Sequence, residues 1–236
     1  MSYFSNIDAV LFDMDGTLIE HTWQLAQITD ALFEQFQSAL SPLTQVEFYG
    51  VFWPKNTDMW HMMVDGVIDG DTAQRYSYIN TLRALDRETV LADGMVAAWS
   101  DLVLEEAVPF DDTPYVLETL RPHFTTGIVT NGFTSLQQAK IDRYRLSEAV
   151  DFCLISEEAG FHKPDVRIFE QALQMAGNVS PGRAIFIGDT LSSDIAGALN
   201  AGLQPIFMNP RDDQSPPAGV PKVNALSELL SLLPLP

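Results

Sequence analysis

The chain has 236 residues, 46% of them hydrophobic, enough for one large domain or a core with a smaller second domain and too many for extensive disorder. Lys and Arg number 13 against 32 Asp and Glu, a net charge of -19 that argues against nucleic-acid and anionic-membrane partners. The single cysteine, Cys153, excludes an internal disulfide and a CxxC metal site and fits a reducing compartment.

The first residues, MSYFSNIDAVLFDMD, carry no basic n-region and meet acids at once, unlike a typical signal peptide. No apolar run reaches the roughly 18 residues of a membrane span. The expectation is a soluble, cytoplasmic protein. Residues 7–12, IDAVLF, read as a buried strand that ends in the acidic turn DMDGT. Helical patterns follow over 21–39, with Trp23, Leu25, Ile28, Leu32, Phe33 and Phe36 at apolar positions, and over 72–85 and 95–107. Apolar, strand-like runs return at 125–132 (TTGIVTNG), 183–190 (RAIFIGDT) and 204–209 (QPIFMN). Helix-like stretches cover 135–144, 165–176, 192–201 and 225–233, while 209–221 reads as turn and loop.

Strands alternating with helices of about ten residues predict an α/β fold with a Rossmann-like parallel sheet. Ligands of such sheets bind beyond the carboxyl ends of the strands, where the acidic ends of these runs fall. The predicted division is a core of residues 1–19 and 109–236 and a helical insert of residues 20–108.

The chemistry-bearing residues collect at the predicted strand ends. Asp13 and Asp15 place two carboxylates at the mouth of a buried strand, which is unfavourable without compensation. A hard divalent cation such as Mg²⁺ supplies it, although DMDGT alone also reads as a plain surface turn. Asp189 ends RAIFIG, and Asp194 comes five residues later near the first turn of the next helix, where ordinary capping is the alternative. Lys163 is one of four lysines, with Lys55, Lys140 and Lys222, and precedes Pro164. Alone it reads as a surface residue; beside carboxylates it becomes an electrostatic clamp. Thr130 and Asn131 offer polar groups for phosphoryl oxygens, or a simple turn.

Taken together, IDAVLFDMDGT, GIVTNG and IFIGDTLSSD, with the Lys163–Pro164 pair between the last two, resemble the haloacid dehalogenase-like hydrolase superfamily in order and spacing over about residues 7–20 and 109–209. The position of the insert resembles that family's alpha-helical cap. The resemblance implies a Mg²⁺-dependent phosphatase in which Asp13 attacks phosphorus and Asp15 serves as general acid, then base. It further implies that Thr130, Asn131 and Lys163 bind the phosphoryl group. The metal would be held by Asp13, Asp189, Asp194 and the backbone carbonyl of Asp15. The dehalogenase branch attacks carbon and lacks the second aspartate, so Asp15 argues for phosphoryl chemistry. A phosphomutase and a non-catalytic phosphate-binding module of the same fold remain alternatives.

The implied partner is a small phosphorylated metabolite, a nucleoside 5'-monophosphate or a sugar phosphate, bound by a monomer or homodimer. Candidates for substrate selection in the insert are Lys55, Arg75, Arg83 and Arg87 with Phe52, Trp53, Trp60 and Tyr76, against the alternative of an apolar core for Phe52 and Trp60. His21 and His61 face the cleft or solvent.

Overall fold

The computed structural model describes residues 3–20 and 25–235. The expectations placed on His21, Trp23 and the Leu25 side chain fall outside the described residues. In chain order the strands are β1 (Ala9–Phe12), β2 (Ile19–Glu20), β3 (Val108–Pro109), β4 (Thr125–Thr130), β5 (Phe152–Ile155), β6 (Ala184–Gly188), β7 (Gln204–Met208) and β8 (Lys222–Val223). The helices are α1 (Leu25–Leu40), α2 (Gln45–Val64), α3 (Gly70–Ala84), α4 (Leu91–Glu106), α5 (Thr113–Leu120), α6 (Thr134–Arg143), α7 (Leu146–Ala149), α8 (Ser156–Ala159), α9 (Val166–Met175), α10 (Ala196–Asn200) and α11 (Leu229–Leu232).

Among the described residues, six strands form one sheet in the order β5-β4-β1-β6-β7-β8, and every neighbouring pair is parallel. Phe12 of β1 stands opposite Ile128 of β4 on one side and Ile187 of β6 on the other, so β4 runs two residues and β6 one residue past the end of β1. The chain builds outward from β1 through β4 and β5, then crosses to β6, β7 and β8. Strand order therefore reverses beside β1, where open α/β sheets bind ligands.

All four residues of β1 are buried, as an all-parallel sheet covered on both faces requires. Ala9 and Leu11 join Val129, Leu154 and Phe186 in a cluster closed by Ile168, Phe169, Ala172 and Leu173 of α9. That spacing gives α9 one continuous apolar stripe, and the Asp165 side chain caps it by accepting from the Arg167 N–H. The short strands β2 and β3 pair antiparallel, Ile19 with Pro109 and Glu20 with Val108. The Thr113 hydroxyl donates to Leu18 O at 2.7 Å just beside them. The chain thus leaves the sheet and returns to it side by side.

The chain divides into two units, one comprising residues 1–21, 108–132 and 137–236, the other residues 22–107 with 133–136. The helical unit has its own core of Leu32, Phe33, Phe48, Tyr49, Phe52, Tyr78, Leu82 and Met95. Phe52 sits 4.9 Å from Tyr78, centroid to centroid, so Phe52 is core, while Trp60 and Tyr76 are 38% and 42% exposed. Arg75 is paired with Asp93, and Arg87 donates to the carbonyls of Leu40, Ser41, Leu85 and Asp86. These two cations are committed within the helical unit.

Helix α2 is absent from the pattern-based reading, and its boundary has a clear local cause. Thr44 accepts from the Glu47 N–H while the Glu47 carboxylate accepts from the Thr44 N–H, a reciprocal capping box. The helix continues through Pro54, which removes one ladder donor and obscures the helical signal in the sequence. Strands β5 and β8 and helix α5 are likewise additions, and the segment expected as one helix over 192–201 begins instead as a π-helical turn, Leu191–Ile195.

Candidate active site

Asp13 comes directly after β1, and its N–H extends the ladder by donating to Ile187 O at 2.8 Å. Its carboxylate is thereby fixed at the carboxyl edge of the sheet, 7% exposed. The chain then folds back sharply: Met14 O accepts from both Leu18 N–H and Ile19 N–H at 2.9 Å, and Gly16 adopts φ +83°. A Cβ on Gly16 would lie 2.1 Å from Asp189 Oδ2, so the turn needs glycine both for its φ and for the space.

Lys163 reaches the same point from the loop before α9. Its Nζ lies 2.6 Å from Asp13 Oδ1 and 2.8 Å from Asp194 Oδ1, above the Phe186 ring at 5.3 Å. Asn131 holds the lysine backbone at two points, accepting from Lys163 N–H at 2.8 Å and donating to Lys163 O at 2.9 Å. Both polar atoms of the Asn131 side chain are thus occupied in orienting the lysine.

Asp189 directly succeeds β6 and accepts from the Thr190 hydroxyl at 3.1 Å. The π-helical turn then brings Asp194 back, so that its Oδ2 accepts from the Thr190 N–H at 3.0 Å. The close approach extends to Gly188, where a Cβ would stand 2.3 Å from the Asp194 Cβ. Asp194 is 1% exposed, and its Oδ1 is ion-paired with the Lys163 ammonium at 2.8 Å.

Asp13, Asp189 and Asp194 each offer a carboxylate oxygen, and the three oxygens lie within 4.8 Å of one another. Burial pushes Asp13 well above the ordinary carboxylate range; Lys163 opposes this, and Asp194 and Asp189 add to it. Asp189 is raised to about 6, again by burial first and then by Asp194. Burial pulls Lys163 down, but the charges of Asp13 and Asp194 more than offset it and the ammonium is strengthened. Three crowded acids answered by one ammonium are short of positive charge. The donor set is all oxygen, and it fits a hard divalent cation.

The Asp15 carboxylate is separate from this cluster. It faces α6, where Lys140 Nζ lies 2.8 Å from both of its oxygens and Gln137 Nε2 lies 2.9 Å from Oδ2. Gln137 Nε2 is also 2.6 Å from Thr130 Oγ1 at the end of β4 and 3.1 Å from Asn131 O. Asp13, Asp15, Thr130, Asn131, Lys163, Asp189 and Asp194 therefore all lie at one edge of the sheet. Gln137 and Lys140 belong with them, and the sequence pattern does not single them out. The available signal was two amide- or amine-bearing side chains three residues apart on the helix after TNG.

The family model for haloacid dehalogenase-like hydrolases matches residues 7–202. The chain belongs to that family. It is 38% identical over 138 residues to the pyrimidine 5'-nucleotidase YjjG of Escherichia coli (strain K12), a match spanning 58% of this chain and 61% of that enzyme. It is 29% identical over 206 residues to the glyceraldehyde 3-phosphate phosphatase of Methanothermobacter thermautotrophicus, covering 86% of each. With the N-acylneuraminate-9-phosphatase of Mus musculus it shares 27% identity over 202 residues, 85% of this chain and 81% of the relative. These relatives are family phosphatases and nucleotidases, in keeping with a phosphoric monoester hydrolase.

Among solved structures, a 2-haloacid dehalogenase from Pseudomonas syringae pv. Tomato DC3000 superposes with TM-score 0.74 at 25% identity, covering 96% of this chain and 97% of that one. HAD-hydrolase YfnB from Bacillus subtilis, solved bound to magnesium, superposes with TM-score 0.71 at 24% identity, covering 98% and 100%. The α/β family fold expected from the sequence is the one observed. No helix among the described residues is long and apolar enough to cross a membrane.

Proposed function

We propose that this hydrolase is a Mg²⁺-dependent phosphatase of small phosphomonoesters that works through an aspartyl-phosphate on Asp13. The observation that carries the reading is the pairing of Asp13, at the end of β1, with the Lys163 ammonium at 2.6 Å, inside an oxygen cluster shared with Asp189 and Asp194. A carboxylate attacks an anionic phosphate poorly unless charge is neutralised on both partners. Lys163 supplies part of that neutralisation from a fixed position. Asp13, Asp189 and Asp194 would hold Mg²⁺, with the backbone carbonyl of Asp15. When bound, the ion supplies further screening and in-line orientation of nucleophile and phosphate.

In the first half-reaction, Asp13 Oδ forms a bond to phosphorus as the ester oxygen leaves and takes a proton from Asp15. In the second, Asp15 accepts a proton from water, whose oxygen attacks phosphorus and frees Asp13 and inorganic phosphate. Thr130, at the end of β4, together with the Lys163 ammonium, would bind the phosphoryl oxygens. Asn131 serves this binding indirectly through its two bonds to the Lys163 backbone. Asp15 supports phosphoryl chemistry over attack at carbon. The nucleotidase and sugar-phosphate phosphatase relatives point to nucleoside 5'-monophosphates and small phosphorylated metabolites as substrates. Substrate choice is assigned to the helical segment 20–108.

The test is phosphate release from a panel of nucleotides and sugar phosphates, with Mg²⁺ and with chelator, for the unaltered chain and Asp13→Asn. Release that requires the metal and disappears in Asp13→Asn is expected. Isomerisation of a sugar phosphate without net release would favour a mutase instead, and release unchanged in Asp13→Asn would overturn the nucleophile.

A further inference from the structure

Lys140 and Gln137 leave α6 three residues apart and so share one face of the helix. Both are almost fully buried, at 1% and 2% exposure. The Lys140 ammonium touches both Asp15 oxygens at 2.8 Å, and Gln137 adds a donor at 2.9 Å to Oδ2 while binding Thr130 Oγ1 at 2.6 Å. The Asp15 side chain remains 18% exposed, so it is gripped from the helix side and open on another.

The fold alone does not call for this arrangement. A helix packed on an apolar sheet is served by leucine or methionine, and burying an ammonium is unfavourable unless it is paired. Lys140 is placed where its charge meets one carboxylate, and that carboxylate stands two residues after Asp13 on a turn shaped by Gly16. Lys140 and Gln137 are the side chains that donate to the Asp15 carboxylate. Two donors from one rigid helix specify one orientation for both of its oxygens.

We propose that Lys140 and Gln137 are positioning residues that hold the Asp15 carboxylate against α6, apart from the Asp13–Asp189–Asp194 cluster, with its open edge free for the reacting oxygens. This rests on the reading of Asp15 as the proton-transferring group of a phosphohydrolase. The helix that reaches Thr130 through Gln137 also reaches Asp15 through Lys140. Phosphoryl binding and proton transfer are therefore set by one rigid element.

The deciding experiment is a double-mutant cycle on the full chain with Mg²⁺, comparing Asp15→Asn, Lys140→Met and the two combined in steady-state phosphate release. Lys140→Met is expected to lower kcat by about 10- to 100-fold while KM changes by less than about threefold. The combined variant should be no slower than Asp15→Asn alone, to within about twofold, because Lys140 acts only through Asp15. Gln137→Met should lower kcat in the same direction by about three- to tenfold, and it provides the cycle if Lys140→Met does not fold. Unchanged kcat in these variants, or the same factor lost again in the Asp15→Asn background, overturns the positioning role. An unaltered chain that releases phosphate from no substrate overturns the hydrolase reading and this inference with it. An active one whose losses are independent overturns this inference alone.

Discussion

Gly16 and Asp189 are in such close approach that no side chain fits between them: a Cβ on Gly16 would stand 2.1 Å from Asp189 Oδ2. The glycine also holds φ +83°, so Gly16→Ala meets both a steric and a conformational penalty. Stability should fall by about 1–3 kcal/mol. Displacement of Asp189 should weaken Mg²⁺ binding by about tenfold or more. Calorimetric titration with Mg²⁺ and thermal melts of the metal-free protein measure the two effects separately.

Removing the Lys163 ammonium leaves two buried carboxylates facing each other. Lys163→Met should destabilise the metal-free protein by about 3–5 kcal/mol at neutral pH, the range for breaking a buried pair from one side. Added Mg²⁺ should recover part of that loss, because the charge deficit is what the substitution creates. Melts with and without Mg²⁺ check this, and phosphate release should fall by at least about a hundredfold.

The pH dependence of the acidic cluster has a definite sign. Asp189 titrates at about 6 in the folded chain, against an ordinary 3.8, chiefly through burial and then through Asp194. A carboxylate raised in this way favours folding while it carries its proton. Its contribution is complete below the unfolded value and is lost as pH rises through about 6. Asp13 is shifted in the same direction. Metal-free Asp189→Asn should therefore be more stable than the unaltered chain at pH 7, by roughly 1–3 kcal/mol, with the difference vanishing near pH 4. Mg²⁺ should stabilise the unaltered chain increasingly from pH 5 to about 8 and the variant hardly at all. Melting temperatures across that range test both statements.

The capping box of α2 gives a prediction confined to the helical unit. Thr44→Ala removes the acceptor for the Glu47 N–H and should cost about 1 kcal/mol without changing phosphate release. Chemical denaturation followed by helical circular dichroism gives the stability change, and the phosphate assay serves as the control.

Much of the site was legible because its acids occupy positions with few ordinary explanations. Asp13 and Asp189 each end an apolar run, and a charge at the end of a buried strand requires a partner or a ligand. Asn131 was legible as a site residue, but its two bonds to Lys163 depend on a loop more than thirty residues away in the chain, which local pattern does not report. In the sequence Lys140 is only one of four lysines, and a lysine on a helix usually faces water. Its burial depends on which face of α6 packs inward, a tertiary fact. In the helical unit, α2 was hidden by Pro54 and by an aromatic-rich stretch that also reads as a ligand surface. The Thr44–Glu47 spacing was the local clue that the helix began there.

The π-helical turn at Leu191–Ile195 has a consequence for how this chain tolerates changes of length. Thr190 O accepts from both the Asp194 N–H at 2.9 Å and the Ile195 N–H at 3.3 Å, so the turn carries one residue more than an α-helical turn would. Deleting a single residue from 191–193 would relax it to an ordinary helical turn that absorbs the change, so α10 would keep its facing. The carboxylate now at position 194 would then stand three residues after Thr190 instead of four, and would lose the bond that it accepts from the Thr190 N–H. The extra residue of the turn therefore serves the seating of one carboxylate and not the packing of the helix that follows.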